Sequence, residues 1–141
     1  VSGFLLDTNV PSELIRKKPH PLVSAWFNQQ PDGDLFISVM SIGEVRRGAE
    51  LLANGGQRAN LEHWLERILI PTFRGRILSV NRSIAERWAV LDAKAKLAGR
   101  PMNTVDGLIA ATALENNLTL VTRNTSDFTG LALSILNPWN G

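Results

Sequence analysis

Apolar positions along the chain change their period several times, and the changes mark out short strands and amphipathic helices. Gly3 to Leu6 is a brief apolar run that stops at the polar turn Asp7-Thr8-Asn9, the pattern of a buried strand. A helix is expected from Pro11, since proline suits a first helical turn and Glu13 complements its positive end. Leu22, Val23, Trp26 and Phe27 predict another short helix, and Leu35 to Val39 a second strand after the turn Pro31-Asp32-Gly33-Asp34. From Ser41, residues Ile42, Val45, Ala49 and Leu52 recur at helical spacing until Asn54-Gly55-Gly56. Leu61, Trp64, Leu65, Ile68 and Leu69 form a second stripe ending at Pro71, so the two helices read as a hairpin.

The alternation then resumes. Ile77 to Val80 predicts a third strand, and Asn81 or Ser83 can cap a helix that carries Ile84, Trp88, Leu91 and Ala95 on one face. Gly99-Arg100-Pro101 breaks that helix. Thr104 can cap the next, from Val105 to about Asn116, and Leu118–Val121 and Leu133–Leu136 complete the strands. Strands that alternate with helices imply a mostly parallel central sheet, because a parallel crossover needs a connecting element. The expected class is a three-layer α/β/α sandwich.

Composition narrows this picture. A chain of 141 residues suits one domain, residues 1–141, and 44% hydrophobic with 20% charged residues fits a globular chain. No apolar run can cross a bilayer, and the opening residues lack the pattern of a secretory signal, so a cytoplasmic location is expected. Without cysteine there is no disulfide framework, thiolate nucleophile or thiolate zinc site. His20, between prolines, and His63, beside Trp64, do not suggest a shared metal site. The net charge of +2 permits a nucleic-acid partner without arguing for one.

Functional groups in open α/β sheets gather where strands end. Asp7 ends the first strand, Glu44 lies in the expected first turn of the helix after the second, Asp106 opens the helix before the fourth, and Asn124 and Asp127 follow that strand. Each acid has a plainer role open to it: Asp7 as a turn residue, Glu44 and Asp106 as acids favoured by a helix dipole. Together they make sense as a cluster around a cation or one that holds a proton. Oxygen-only ligation points to Mg²⁺ or Mn²⁺.

The surrounding residues resemble the PIN-domain nucleases, in particular the FitB-like branch of VapC-type toxins. Leu5-Leu6-Asp7-Thr8-Asn9-Val10, Ser41-Ile42-Gly43-Glu44-Val45-Arg46-Arg47-Gly48, Asp106-Gly107-Leu108-Ile109-Ala110-Ala111-Thr112-Ala113 and Val121-Thr122-Arg123-Asn124-Thr125-Ser126-Asp127-Phe128 are similar to its four motifs, in order. The ending Asn137-Pro138-Trp139 resembles the same branch. The resemblance implies a Mg²⁺- or Mn²⁺-dependent endoribonuclease with Asp7, Glu44 and Asp106 as metal-binding catalytic acids. It also implies a homodimer and a VapB-like antitoxin that covers the active site.

Asn9 and Ser41 are candidates to orient those acids, with plain turn and cap roles equally open. Arg46, Arg47 and Arg123 are candidates for RNA phosphates. Trp26, Trp64 and Trp88 lie on apolar helix faces and read as core. The branch tends to carry an aspartate directly after Thr-Arg, where this chain has Asn124; Asn124 or Asp127 can complete the site, and the smaller charge predicts one firmly held ion. Asn9 stands where a phospho-aspartyl enzyme would carry a second acid, and no phosphate-cradling glycine loop is present. A catalytically silent PIN domain that binds RNA is the remaining rival, and the intact acids speak against it.

Overall fold

The computed structural model describes residues 3–140. Five strands, β1 (Phe4–Leu6), β2 (Leu35–Ser38), β3 (Ile77–Leu78), β4 (Thr119–Val121) and β5 (Ile135–Leu136), form one sheet in the order β3-β2-β1-β4-β5. Every pairing is parallel, so the sheet is wholly rather than mostly so. Successive strand residues point to opposite faces, and this separates two cores. Leu6, Leu35, Ile37 and Val121 join Val10, Val23, Val45, Leu65 and Phe73 on one face. Leu5 and Leu120 join Ile109, Ala110, Ala113 and Phe128 on the other. The expected α/β/α sandwich is the observed architecture.

Helices α1 (Asn9–Leu14), α2 (Pro21–Gln29), α3 (Val39–Leu51), α4 (Gly56–Trp64), α5 (Ile70–Thr72), α6 (Arg82–Leu97) and α7 (Thr104–Glu115) flank the sheet. Several boundaries differ from the sequence reading, each for a local reason. Helix α1 begins at Asn9 rather than Pro11, and Glu13 does not face its N-terminus but is buried and accepts the backbone N–H of His20. That bond, with Arg16 beside it, holds the Glu13 carboxyl below the usual range against the effect of burial. Helix α3 begins at Val39 because Ser38, at the end of β2, accepts the N–H of Met40 as a cap. Glu44 is thereby in the second turn, where the dipole argument for an acid loses force.

The run after Gly56 is one helical rod interrupted by a π-helical turn over Leu65–Leu69, and Pro71 continues it for a last turn instead of ending it. Asn81, not Ser83, caps α6, and Asn103, not Thr104, caps α7 by accepting from Val105 and Asp106. Trp26 stacks edge-on against Phe4 with ring centroids 5.1 Å apart, and Trp64 packs on the same core. Among the described residues no helix is long and apolar enough to cross a membrane.

Candidate active site

The strand order reverses between β1 and β4, with β2 and β3 on one side and β5 on the other, so the carboxyl ends of β1 and β4 frame a crevice. Asp7 leaves β1 at this point; its backbone N–H still bonds to Val121 O at 2.9 Å, which fixes it to the sheet. Its side chain is buried and held at both oxygens. The backbone N–H of Thr8 donates to Oδ1 at 2.9 Å, and the hydroxyl of Thr122, the first residue past β4, donates to Oδ2 at 2.8 Å. Burial pushes the Asp7 carboxyl up, Thr122 and Thr8 oppose this, and the charge of Asp127 adds to it.

Thr122 is itself held. Its oxygen accepts from Asn9 Nδ2 at 3.3 Å and from the Asn124 N–H at 3.1 Å, while Asn9 Oδ1 accepts from the Arg123 N–H. Asn9 therefore braces the turn that fixes Asp7. On the other side, Thr8 Oγ1 lies 2.9 Å from Ser41 Oγ and also hydrogen-bonds Glu44 Oε1. One hydroxyl proton cannot serve both, so it goes to the carboxylate and Ser41 donates to Thr8. Thr8 and Thr122 were missed in the sequence, although each is the hydroxyl residue placed at a strand end.

Asp106 sits in the first turn of α7, its N–H capped by Asn103. Its carboxyl is pushed up to about 6, first by burial and then by the charges of Asp7, Asp127 and Glu44. The four acids therefore share one field. Asp127, in the 3₁₀ turn Thr125–Phe128, acts on both Asp7 and Asp106, whereas the neutral Asn124 caps that turn without a side-chain bond. Among the described residues, no three His, Cys, Asp or Glu side chains stand close enough to close a coordination shell in this conformation. The donor chemistry nevertheless fits a hard divalent cation: all the donors are oxygen, and a double positive charge would relieve the mutual repulsion that raises Asp106.

The arginines separate. Arg46 is engaged by Glu66 at 2.6 Å and Glu62 at 3.4 Å, and so ties α3 to the rod beyond Gly56 instead of extending toward the acids. Arg47 is exposed. Arg123 lies over the Trp139 ring at 5.5 Å, next to the turn that holds Asp7. His20 is used as the α2 cap, its Nδ1 accepting from Leu22.

Comparison with known proteins agrees with this fold. The PIN domain family model matches residues 4–132. The chain is 38% identical to toxin FitB of Neisseria gonorrhoeae over 97% of this chain and 99% of that protein. It is 36% identical to VapC ribonuclease Y4jK of Sinorhizobium fredii, covering 96% and 97% of the two chains. Among solved structures, FitAcB from Neisseria gonorrhoeae superposes with a TM-score of 0.89 at 38% identity over 98% and 99% of the chains. A toxin–antitoxin complex from Klebsiella pneumoniae superposes with a TM-score of 0.72 at 28% identity over 96% and 98%. With Asp7 at the end of β1 and the match running almost from end to end, this chain belongs to the PIN-domain family and is similar to toxin FitB and to a VapC ribonuclease.

Proposed function

We propose that this protein is a metal-dependent endoribonuclease and the toxin of a toxin–antitoxin pair. The observation that carries the reading is the shared field of Asp7, Glu44, Asp106 and Asp127 at the switch point of the sheet. Relatives named as a ribonuclease and as a toxin supply the reaction class, and a similar toxin–antitoxin complex supplies the kind of partner.

Asp7, Glu44 and Asp106 would hold Mg²⁺ or Mn²⁺, with Asp127 rather than Asn124 as the fourth charge. Such an ion would supply positive charge against the negative charge that develops on a phosphodiester and would make water a better nucleophile at neutral pH. The chain's own residues supply orientation. Thr8 and Thr122 each occupy one lone pair of Asp7, which leaves the remaining ones directed by a fixed carboxylate plane. Thr8 also aims Glu44, so a single turn sets two acids.

The test is cleavage of total RNA by the purified chain with Mg²⁺ or Mn²⁺ and with chelator, beside Asp7→Asn, Glu44→Gln and Asp106→Asn. Loss of cleavage in chelator and in each variant is expected; full cleavage in chelator, or in all three variants, would overturn the reading. The protein encoded next to this chain should co-purify with it and suppress cleavage. Co-purification no better than an unrelated control would remove the antitoxin assignment.

A further inference from the structure

A groove of about 1400 Å³ runs beside α6 and reaches Asp106 and Asp127. Four cations line it, and they are not equivalent. Arg82 is paired with Glu86 at 2.6 Å and Arg87 with Glu115, so their charge is largely spent within the protein. Lys94 and Arg100 line the same groove, and among the described residues neither makes an ion pair, not even with Asp106 or Asp127. Lys94 belongs to the last turn of α6, where a cation is favoured by the helix dipole in any case. Arg100 lies beyond the helix and has no such explanation.

Its guanidinium lies beside Gly130. Gly130 has φ +86°, and a Cβ built there would fall 2.8 Å from Arg100 Nη2 and 3.2 Å from its Cζ. The guanidinium therefore lies directly against Gly130, on the loop three residues past Asp127, where a larger side chain would displace it. Electrostatics favours such a group. The acids that would collect a cation repel a polyanion approaching along the groove, and a nearby fixed cation offsets that repulsion.

We propose that Arg100, beside Gly130 and helped by Lys94, holds the backbone of a single-stranded RNA in this groove, at a phosphate neighbouring the one that is cut. The proposal rests on the reading of the acids as a nuclease site. Arg100 is a positioning residue: it grips the strand and takes no part in bond cleavage. Its planar fork matches a phosphate with two donors, which lysine cannot reproduce.

Binding of a labelled single-stranded RNA of mixed sequence, followed by fluorescence anisotropy across a salt series, tests this apart from cleavage. Measurements use the Asp106→Asn chain in Mg²⁺ so that the RNA stays intact. Adding Arg100→Ala should weaken binding about fivefold to tenfold and lower the salt slope by about 0.7, the value for one phosphate contact on a single strand. Arg100→Lys should keep the slope and lose part of the affinity. Lys96→Ala, in the same helical turn as Lys94 but outside the groove, should change binding by less than about twofold, since phosphate contacts and not net charge are at issue. No RNA binding by the parent, unchanged binding in Arg100→Ala, or an equal loss in Lys96→Ala would overturn the proposal. In the cleavage assay on the otherwise unmodified chain, Arg100→Ala should raise KM and leave kcat nearly intact. If the unmodified chain cleaves no RNA while Arg100→Ala still weakens binding, the nuclease reading fails and the RNA contact stands.

Discussion

Asp7 owes its fixed orientation to Thr122, a residue 115 positions away whose hydroxyl donates to Oδ2 and collects two further bonds. Thr122→Val keeps the shape and removes the donor, so Mg²⁺ affinity and cleavage should fall about tenfold to a hundredfold, as for other groups that orient metal ligands. Thr122→Ser should retain most of both; a valine variant as active as the parent in a Mg²⁺ titration would show that the bond does not matter. The fourth acidic position is decided on the same scale. Asn124 and Asp127 are both open from the sequence, but only Asp127 is charged and coupled to Asp7 and Asp106. Asp127→Asn should therefore reduce cleavage more than Asn124→Ala, measured as initial rates at limiting Mg²⁺.

Helix α7 carries Asp106 at its third residue, and its approach to α6 depends on Gly107. A Cβ there would meet the rigid indole of Trp88, at 2.9 Å from Cδ1 and 3.0 Å from the buried Nε1. Glycine to alanine within a helix normally gains about 1 kcal/mol from propensity. Overpacking costs about 1–3 kcal/mol and should win here, so Gly107→Ala is expected to lower stability in urea unfolding and to reduce cleavage by shifting Asp106. Trp88→Leu in the same chain should restore part of the stability, and simple additivity of the two changes would show that the contact is not the cause. Element boundaries were the least legible feature of the sequence. Ser38 and Asn103 were passed over as caps because strand and loop residues beside them offered competing oxygens, at Ser41 and Thr104, and only the backbone path decides which side chain meets the free N–H groups.

Across the whole molecule, four acids in one field set stability against function. Asp106 has its folded pKa raised to about 6 from an ordinary 3.8, so between those values the folded chain binds more protons than the unfolded one. Its contribution is fully present below about pH 4 and is lost as pH rises through about 6. In chelator, Asp106→Asn should remove this loss and raise stability above pH 6.5 by about 1 kcal/mol, a figure reduced for the solvent access of the group. Glu13, with its lowered pKa, acts in the opposite direction as pH falls, so the difference between the two chains is the quantity to follow. Mg²⁺ should raise the Tm of the parent with concentration and that of Asp106→Asn much less. Equal Tm shifts in both chains would place the ion elsewhere.

The sequence by itself determined the layer architecture, because alternation of strand and helix periods leaves few topologies, and it determined which carboxylates lie at strand ends. It also pointed to oxygen ligands for any metal, since no cysteine exists and His20 and His63 do not suggest a shared site. Only the tertiary structure decided that Thr8 and Thr122 aim Asp7 and Glu44, that Arg46 is committed to Glu62 and Glu66, and that Asp127 joins the field. Apart from the bond between Thr8 and Asp7, those outcomes depend on pairs of residues 16 or more positions apart. Periodicity records which face of an element is buried, but a hydrogen bond or a shared charge depends on where two separate elements come to rest, and the parallel sheet sets that only when all five strands are in register.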